Sequence, residues 1–145
     1  MDVNIQQLLG YALESGASDL HLSSGSIPMV RIHGEMKKLQ LPVMDDEVMR
    51  AILNEILNDS QKETFKQNLE IDFSTALEDK GRFRVNFFQQ LKGLAAVFRT
   101  IPEAILSVEE LGVPPLLNQL VEKEKGLILM TGPTGSGKST TLAAM

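Results

Sequence analysis

The feature that most constrains this chain is the run Gly132-Pro133-Thr134-Gly135-Ser136-Gly137-Lys138-Ser139 and what flanks it. Before it stands Gly126-Leu127-Ile128-Leu129-Met130-Thr131, apolar on both faces, as a buried strand of a parallel sheet reads. After it, Thr140 to Met145 starts a helix. Strand, glycine-rich loop and helix in that order are the context of a phosphate-binding P-loop. Gly132, Gly135 and Gly137 let the backbone curl with its N–H groups inward and leave room for phosphate oxygens. The helix start adds free N–H groups and a positive dipole end. Lys138 is placed to reach the β- and γ-phosphates, and Ser139 to offer its hydroxyl to Mg²⁺. Thr140, one residue on, is a further candidate for a phosphate oxygen. Pro133, Thr134 and Ser136 complete the cradle, whose expected ligands are a nucleoside triphosphate and Mg²⁺.

Composition narrows the rest. A net charge of -5 lacks the basic footprint of a nucleic-acid binder. The absence of cysteine excludes disulfides, thiolate metal sites and cysteine nucleophiles, and two histidines exclude a multi-histidine centre. No apolar run approaches the ~20 residues of a membrane span, so no direct membrane insertion is expected. The start lacks the basic region of a signal peptide, which makes the cytoplasm the expected location.

Upstream of the loop the pattern is α+β. Ile5, Leu8, Leu9, Ala12 and Leu13 share one helical face, with Asp2 as the expected cap and Gly16 as the stop. Asp19 to Ser23 reads as a strand, and Pro28 to Met36 as a second, with Arg31, His33 and Glu35 on its polar side. Asp45-Asp46-Glu47 opens a second helix whose buried face is Val48, Ile52 and Ile56, with Met49 and Leu53 beside them. The spacing of Ser60 and Glu63 predicts a capping box for a third. A meander follows: Leu69 to Leu77, Arg82 to Gln90 and Leu94 to Ile101, the last apolar enough to be central. Pairing Ile71 with Phe87 and Phe73 with Val85 keeps both apolar sets on one face. Residues 1–101 thus form one domain and 102–115 a linker with one turn capped by Ser107 and Glu110. Residues 116–145 open a second domain, starting with a helix after Pro114-Pro115.

Hydrolysis by a P-loop needs a carboxylate for Mg²⁺ and a group that orients water, and these lie on strands after the loop. None occurs here, so the sequence reads as a fragment that stops inside a helix, and Leu127 to Met130 is expected to lack strands to pair with.

Gly16 to Leu22 (GASDLHL), Pro28 to Gly34, Gly81 to Asn86, Ala96 to Pro102, Leu111 to Pro114 and Gly126 to Thr141 occur in one order that resembles the PilT family, the twitching-motility or type IV pilus retraction ATPases of the type II/IV secretion ATPase superfamily. The resemblance covers the whole chain. It implies a PAS-like α+β N-terminal domain joined by a linker to a RecA-like α/β ATPase domain, of which this chain holds only the first elements. It implies ATP as the nucleotide, a homohexameric ring and inner-membrane pilus platform proteins as partners. An acidic box, a second carboxylate motif and a histidine box belong to the family after the P-loop and are absent from these residues. By the same resemblance Arg84 and Arg99 are candidate catalytic residues that reach the nucleotide phosphates across a domain gap, beside Lys138. The alternative for both arginines is a solvated strand face paired with Glu70 or Asp72. Asp19 and His21 share a strand face; a hydrogen-bonded pair or subunit contact is preferred over a metal pair. Two further readings stay open: a paralogous pilus-assembly or type II secretion ATPase, and a non-catalytic PAS-like interaction module.

Overall fold

The computed structural model describes residues 4–78, 80–102, 106–133 and 136–145. The chain divides into two compact units, Met1–Pro102 and Glu103–Met145.

The first unit is a six-stranded antiparallel sheet with helices on one face. Its elements in order are α1 (Ile5–Glu14), β1 (Asp19–Ser23), β2 (Met29–Ile32), β3 (Glu35–Lys38), α2 (Asp46–Ile56), α3 (Asp59–Asn68), β4 (Glu70–Leu77), β5 (Gly81–Gln90) and β6 (Gly93–Ile101). The strands lie in the order β3-β2-β1-β6-β5-β4. β6 is central, as its apolar sequence requires. Pairing of β4 with β5 sets Ile71 opposite Phe87 and Phe73 opposite Val85, the register that alternation predicts.

Alternate residues of β1, β2, β5 and β6 face the helices. Leu20, Leu22, Val30, Phe83, Val85, Phe87, Leu94, Ala96 and Phe98 are buried there against Ile5, Leu8, Leu9 and Ala12 of α1 and Met49, Ile52 and Leu53 of α2. Each such large side chain contributes about 1.5–3 kcal/mol. Phe87 and Phe98 meet edge to face at 5.9 Å between ring centres. On α2 the most buried residues are Met49, Ile52 and Leu53, while Val48 and Ile56 are partly buried, so the stripe is centred toward Met49 and Leu53 within the expected set.

Four boundaries differ from expectation. The cap of α1 is Asn4, whose side chain accepts from the backbone N–H groups of Gln6 and Gln7; Asp2 lies outside the described residues. The span Pro28–Met36 is not one strand but the hairpin β2–β3. His33 (φ 51°) and Gly34 (φ 83°) turn it with two successive left-handed residues, the geometry that matches strand twist, so His33 sits in the turn and not on a face with Arg31. The capping box of α3 is Asn58 with Gln61, each side chain bonded to the other's backbone N–H, so Ser60 lies inside the helix. Leu69 is the left-handed cap of α3 and not the first strand residue; its N–H donates to Phe65 at 2.8 Å.

In the second unit, Ser107 and Glu110 form the reciprocal cap read from their spacing (2.8 and 3.2 Å). Helices α4 (Leu116–Val121) and α5 (Lys138–Ala144) follow. Leu127 to Thr131 is not a strand, and Leu127 and Leu129 are 82% and 75% exposed. This corrects the buried-strand reading and agrees with the expected lack of pairing neighbours, since burial on two faces requires strands on both sides.

Candidate functional site

Among the described residues of the loop from Gly132 to Ser139, two glycines lie in the left-handed half of conformational space. Gly132 has φ 150° and Gly137 φ 85°. A Cβ on Gly132 would stand 2.8 Å from Ser136 Oγ, so the close approach of these residues depends on the missing side chain. Gly137 is the cap of α5 and its carbonyl accepts from Thr141 through both N–H and Oγ1, each at 2.9 Å. Thr134 and Gly135, part of the predicted cradle, lie outside the described residues.

Lys138 Nζ turns back over the loop and donates to the carbonyls of Gly132 (2.9 Å) and Pro133 (2.6 Å). The ammonium is thereby tied to the first residues of the loop. An open cleft of about 480 Å³ lies there, lined by Leu117, Met130, Gly132, Pro133, Ser136 and Lys138. Ser139 and Thr140 are exposed on the first turn of α5. The donor set fits an anion: an ammonium, a hydroxyl and a helix start whose N–H groups have no intrahelical acceptor. A hydroxyl directly after the lysine also suits a hard cation.

In the first unit the other candidates share the face of the sheet opposite the helices. Arg84 on β5 and Arg99 on β6 stand directly opposite each other. Like charges so placed repel, and each has its own carboxylate. Arg84 grips Asp72 with Nε (3.1 Å) and Nη2 (2.6 Å), the bland pairing anticipated for it. Arg99 donates from Nε to Asp19 at 3.0 Å. That second pairing was missed, because it depends on β6 lying beside β1, which spacing along the chain does not reveal. Asp19 also accepts from Ser18 Oγ (2.8 Å) and lies 3.4 Å from Arg31 Nε. Burial works against its charge, but the Ser18 hydroxyl and Arg99 outweigh it and hold the carboxyl below its usual range. His21, on the same face, is pushed down by burial first and by Arg31 and Arg99, with Asp19 opposing; its Nε2 is buried without a partner among the described residues. Among those residues no cluster of three His, Cys, Asp or Glu side chains could hold a metal, and no helix is long and apolar enough to cross a membrane.

Comparison with known proteins agrees with this layout. Residues 2–145 match the family model described as type II/IV secretion system protein. The type IV pilus retraction ATPase PilT of Pseudomonas aeruginosa is 47% identical over 143 residues, covering 99% of this chain and 42% of that protein. A twitching motility protein of Neisseria gonorrhoeae is 51% identical over 118 residues, covering 81% of this chain and 32% of that protein. The crystal structure of a pilus retraction motor PilT with bound ADP superposes with a TM-score of 0.85 at 39% identity, covering 99% of this chain and 42% of that one. The chain thus spans less than half the length of the relatives it matches. It belongs to the type II/IV secretion system protein family, and within that family its likeness is to the PilT retraction ATPases.

Proposed function

We propose that this chain is the nucleotide-binding N-terminal part of an ATP-driven motor that retracts type IV pili and powers twitching motility. The observation that carries the proposal is the P-loop itself, with Lys138 Nζ folded back onto the Gly132 and Pro133 carbonyls, in a chain 47% identical to a retraction ATPase. A type II secretion ATPase is the weaker reading, since the type II secretion system protein E of Pseudomonas aeruginosa is 29% identical over 152 residues. The first unit is a PAS-like domain, residues 102–115 a linker, and residues 116–145 the start of a RecA-like ATPase domain. In the whole protein six copies form a ring in the cytoplasm, against platform proteins of the inner membrane.

At the site, phosphate oxygens take the place of the Gly132 and Pro133 carbonyls as acceptors for Lys138. Backbone N–H groups of the loop, other than at Pro133, which has none, cradle the β-phosphate, and Thr140 is a further phosphate contact. Ser139 holds Mg²⁺, which when bound neutralises charge on the β- and γ-phosphates. Arg84 and Arg99 are the basic groups of the first unit that reach nucleotide phosphates, where charge builds up during phosphoryl transfer.

Titration of the chain with ATP and Mg²⁺, followed by calorimetry, tests the nucleotide site. Binding by the native chain and loss of binding in Lys138→Ala are expected. Equal binding by both would remove the P-loop from the account. The exposure of Leu127 and Leu129 favours one second reading for these 145 residues alone, a PAS-like interaction module with a non-catalytic tail. No binding by the native chain would support it.

A further inference from the structure

One row of side chains runs across the helix-free face of the sheet. Arg31 on β2 stands opposite Asp19 on β1, Asp19 opposite Arg99 on β6, and Arg99 opposite Arg84 on β5. The three guanidinium groups are engaged differently. Arg31 directs Nε toward Asp19 and donates from Nη1 to the carbonyl of Gly34 at 3.1 Å, so it is tied at both ends. Arg84 spends Nε and Nη2 together on Asp72, a side-on pair that occupies one edge of its fork. Arg99 gives only Nε, and both of its terminal nitrogens are without an acceptor among the described residues.

Asp19 is built to make that difference. Its side chain is 8% exposed, whereas that of Arg99 is 69% exposed. The Ser18 hydroxyl and Arg31 both address its Oδ2, which leaves Oδ1 for Arg99. The anchor is thus inside and immobilised from three directions, and the two parallel N–H donors point outward. An arginine held by Nε keeps the donor pair that matches two oxygens of a phosphate or carboxylate. Much of its rotamer freedom is lost before the anion arrives, which lowers the cost of ordering it then.

We infer that Asp19 is a positioning residue: through Nε it presents the terminal fork of Arg99 to the phosphate oxygens of a nucleotide. This rests on the reading above that Arg99 reaches the nucleotide. Asp72 holds Arg84 differently, by Nε and Nη2 together, so that one edge of its guanidinium is occupied.

The test is a double-mutant cycle in steady-state ATP hydrolysis by the whole protein, comparing native, Asp19→Asn, Arg99→Ala and the double variant. Asp19→Asn is expected to lower kcat by about tenfold with a smaller change in KM, and to have little further effect once Arg99 is alanine. A residue that only stabilised the sheet would lower kcat by the same factor in both backgrounds, and that result overturns the inference while leaving the role of Arg99 standing. Unchanged turnover in Arg99→Ala instead overturns the reading on which the inference rests. Should Asp19→Asn not fold, Ser18→Ala frees one oxygen of Asp19 and carries the same test. A smaller fall in kcat that vanishes in the Arg99→Ala background supports the inference, and a fall that persists there overturns it.

Discussion

The carboxylate of Asp46, in the first turn of α2, accepts the backbone N–H of Leu94 at the start of β6, at 3.0 Å. The same oxygen accepts from Ser24 Oγ at 3.0 Å, and that hydroxyl also lies 3.0 Å from the Leu94 carbonyl. One side chain thereby joins a helix start to the ends of two neighbouring strands. The hydrogen bond from Leu94, then those from Arg50 and Ser24, hold its carboxyl below the usual range.

Gly93 is what lets this joint close. Its φ is 119°, and a Cβ there would press onto Asp46 Oδ1 and stand 2.7 Å from Ser24 Oγ. Gly93→Ala should destabilise the fold by more than about 1 kcal/mol, from backbone strain and displacement of Asp46 together. Asp46→Asn should destabilise too and should also lose a pH response. A carboxyl lowered on folding contributes stability above its unfolded pKa, and that contribution is lost as pH falls through the folded value. Urea midpoints at pH 7 and pH 3 read both effects. Equal midpoints for native and Gly93→Ala would remove the joint from the account.

His21 gives an independent pH dependence of opposite chemistry. Its Nε2 is buried without a partner among the described residues, and protonation of the ring would place a cation beside Arg31 and Arg99, with Asp19 favouring it. The folded pKa lies below the unfolded value near 6.5, so the unfolded chain takes up the proton first. Stability is fully present above about pH 6.5, declines as pH falls toward the folded value, and levels off beneath it. Melting temperature measured from pH 8 to pH 5 should fall in the native chain, and more shallowly in His21→Gln. Parallel slopes for the two would show that His21 does not titrate differently on folding.

The β2–β3 turn sets up a third test. His33 occupies a left-handed position that asparagine tolerates better. His33→Asn should raise stability by up to about 0.5 kcal/mol, and Gly34→Ala should lower it by about 1 kcal/mol. Denaturant midpoints should move in these directions with the slope of the transition unchanged. A gain in Gly34→Ala would contradict a turn with two left-handed residues.

Features written in local periodicity were legible from the residues alone. The register of β4 on β5 followed from alternation, since a slip by one would turn Ile71 and Phe73 to the wrong side. Lys138 and the glycines were found through the motif, because a phosphate cradle needs those residue types at that spacing. The hairpin at His33-Gly34 escaped because the apolar alternation before it runs in phase into β3, whose residues are all exposed. The α3 cap escaped because Asn58/Gln61 and Ser60/Glu63 both fit the same spacing. The clamp of Asp19 on Arg99 joins residues 80 positions apart, and only the strand order brings them together. Leu127 to Met130 reads as buried because apolarity reports a preference, and fulfilling it takes neighbouring strands.

That 80-residue reach sets a schedule for folding. β1 leaves the ribosome early, but its partner β6 is among the last parts of the first unit to be made. Until then β1 has only the short β2–β3 hairpin on one side, and α1 has no complete sheet to cover. Long-range closure of this kind is slow relative to the local β4–β5–β6 meander, so the meander should form first and capture β1 afterwards. In the interval the nascent chain shows an unpaired strand edge and an apolar helix face, the surfaces that chaperones hold.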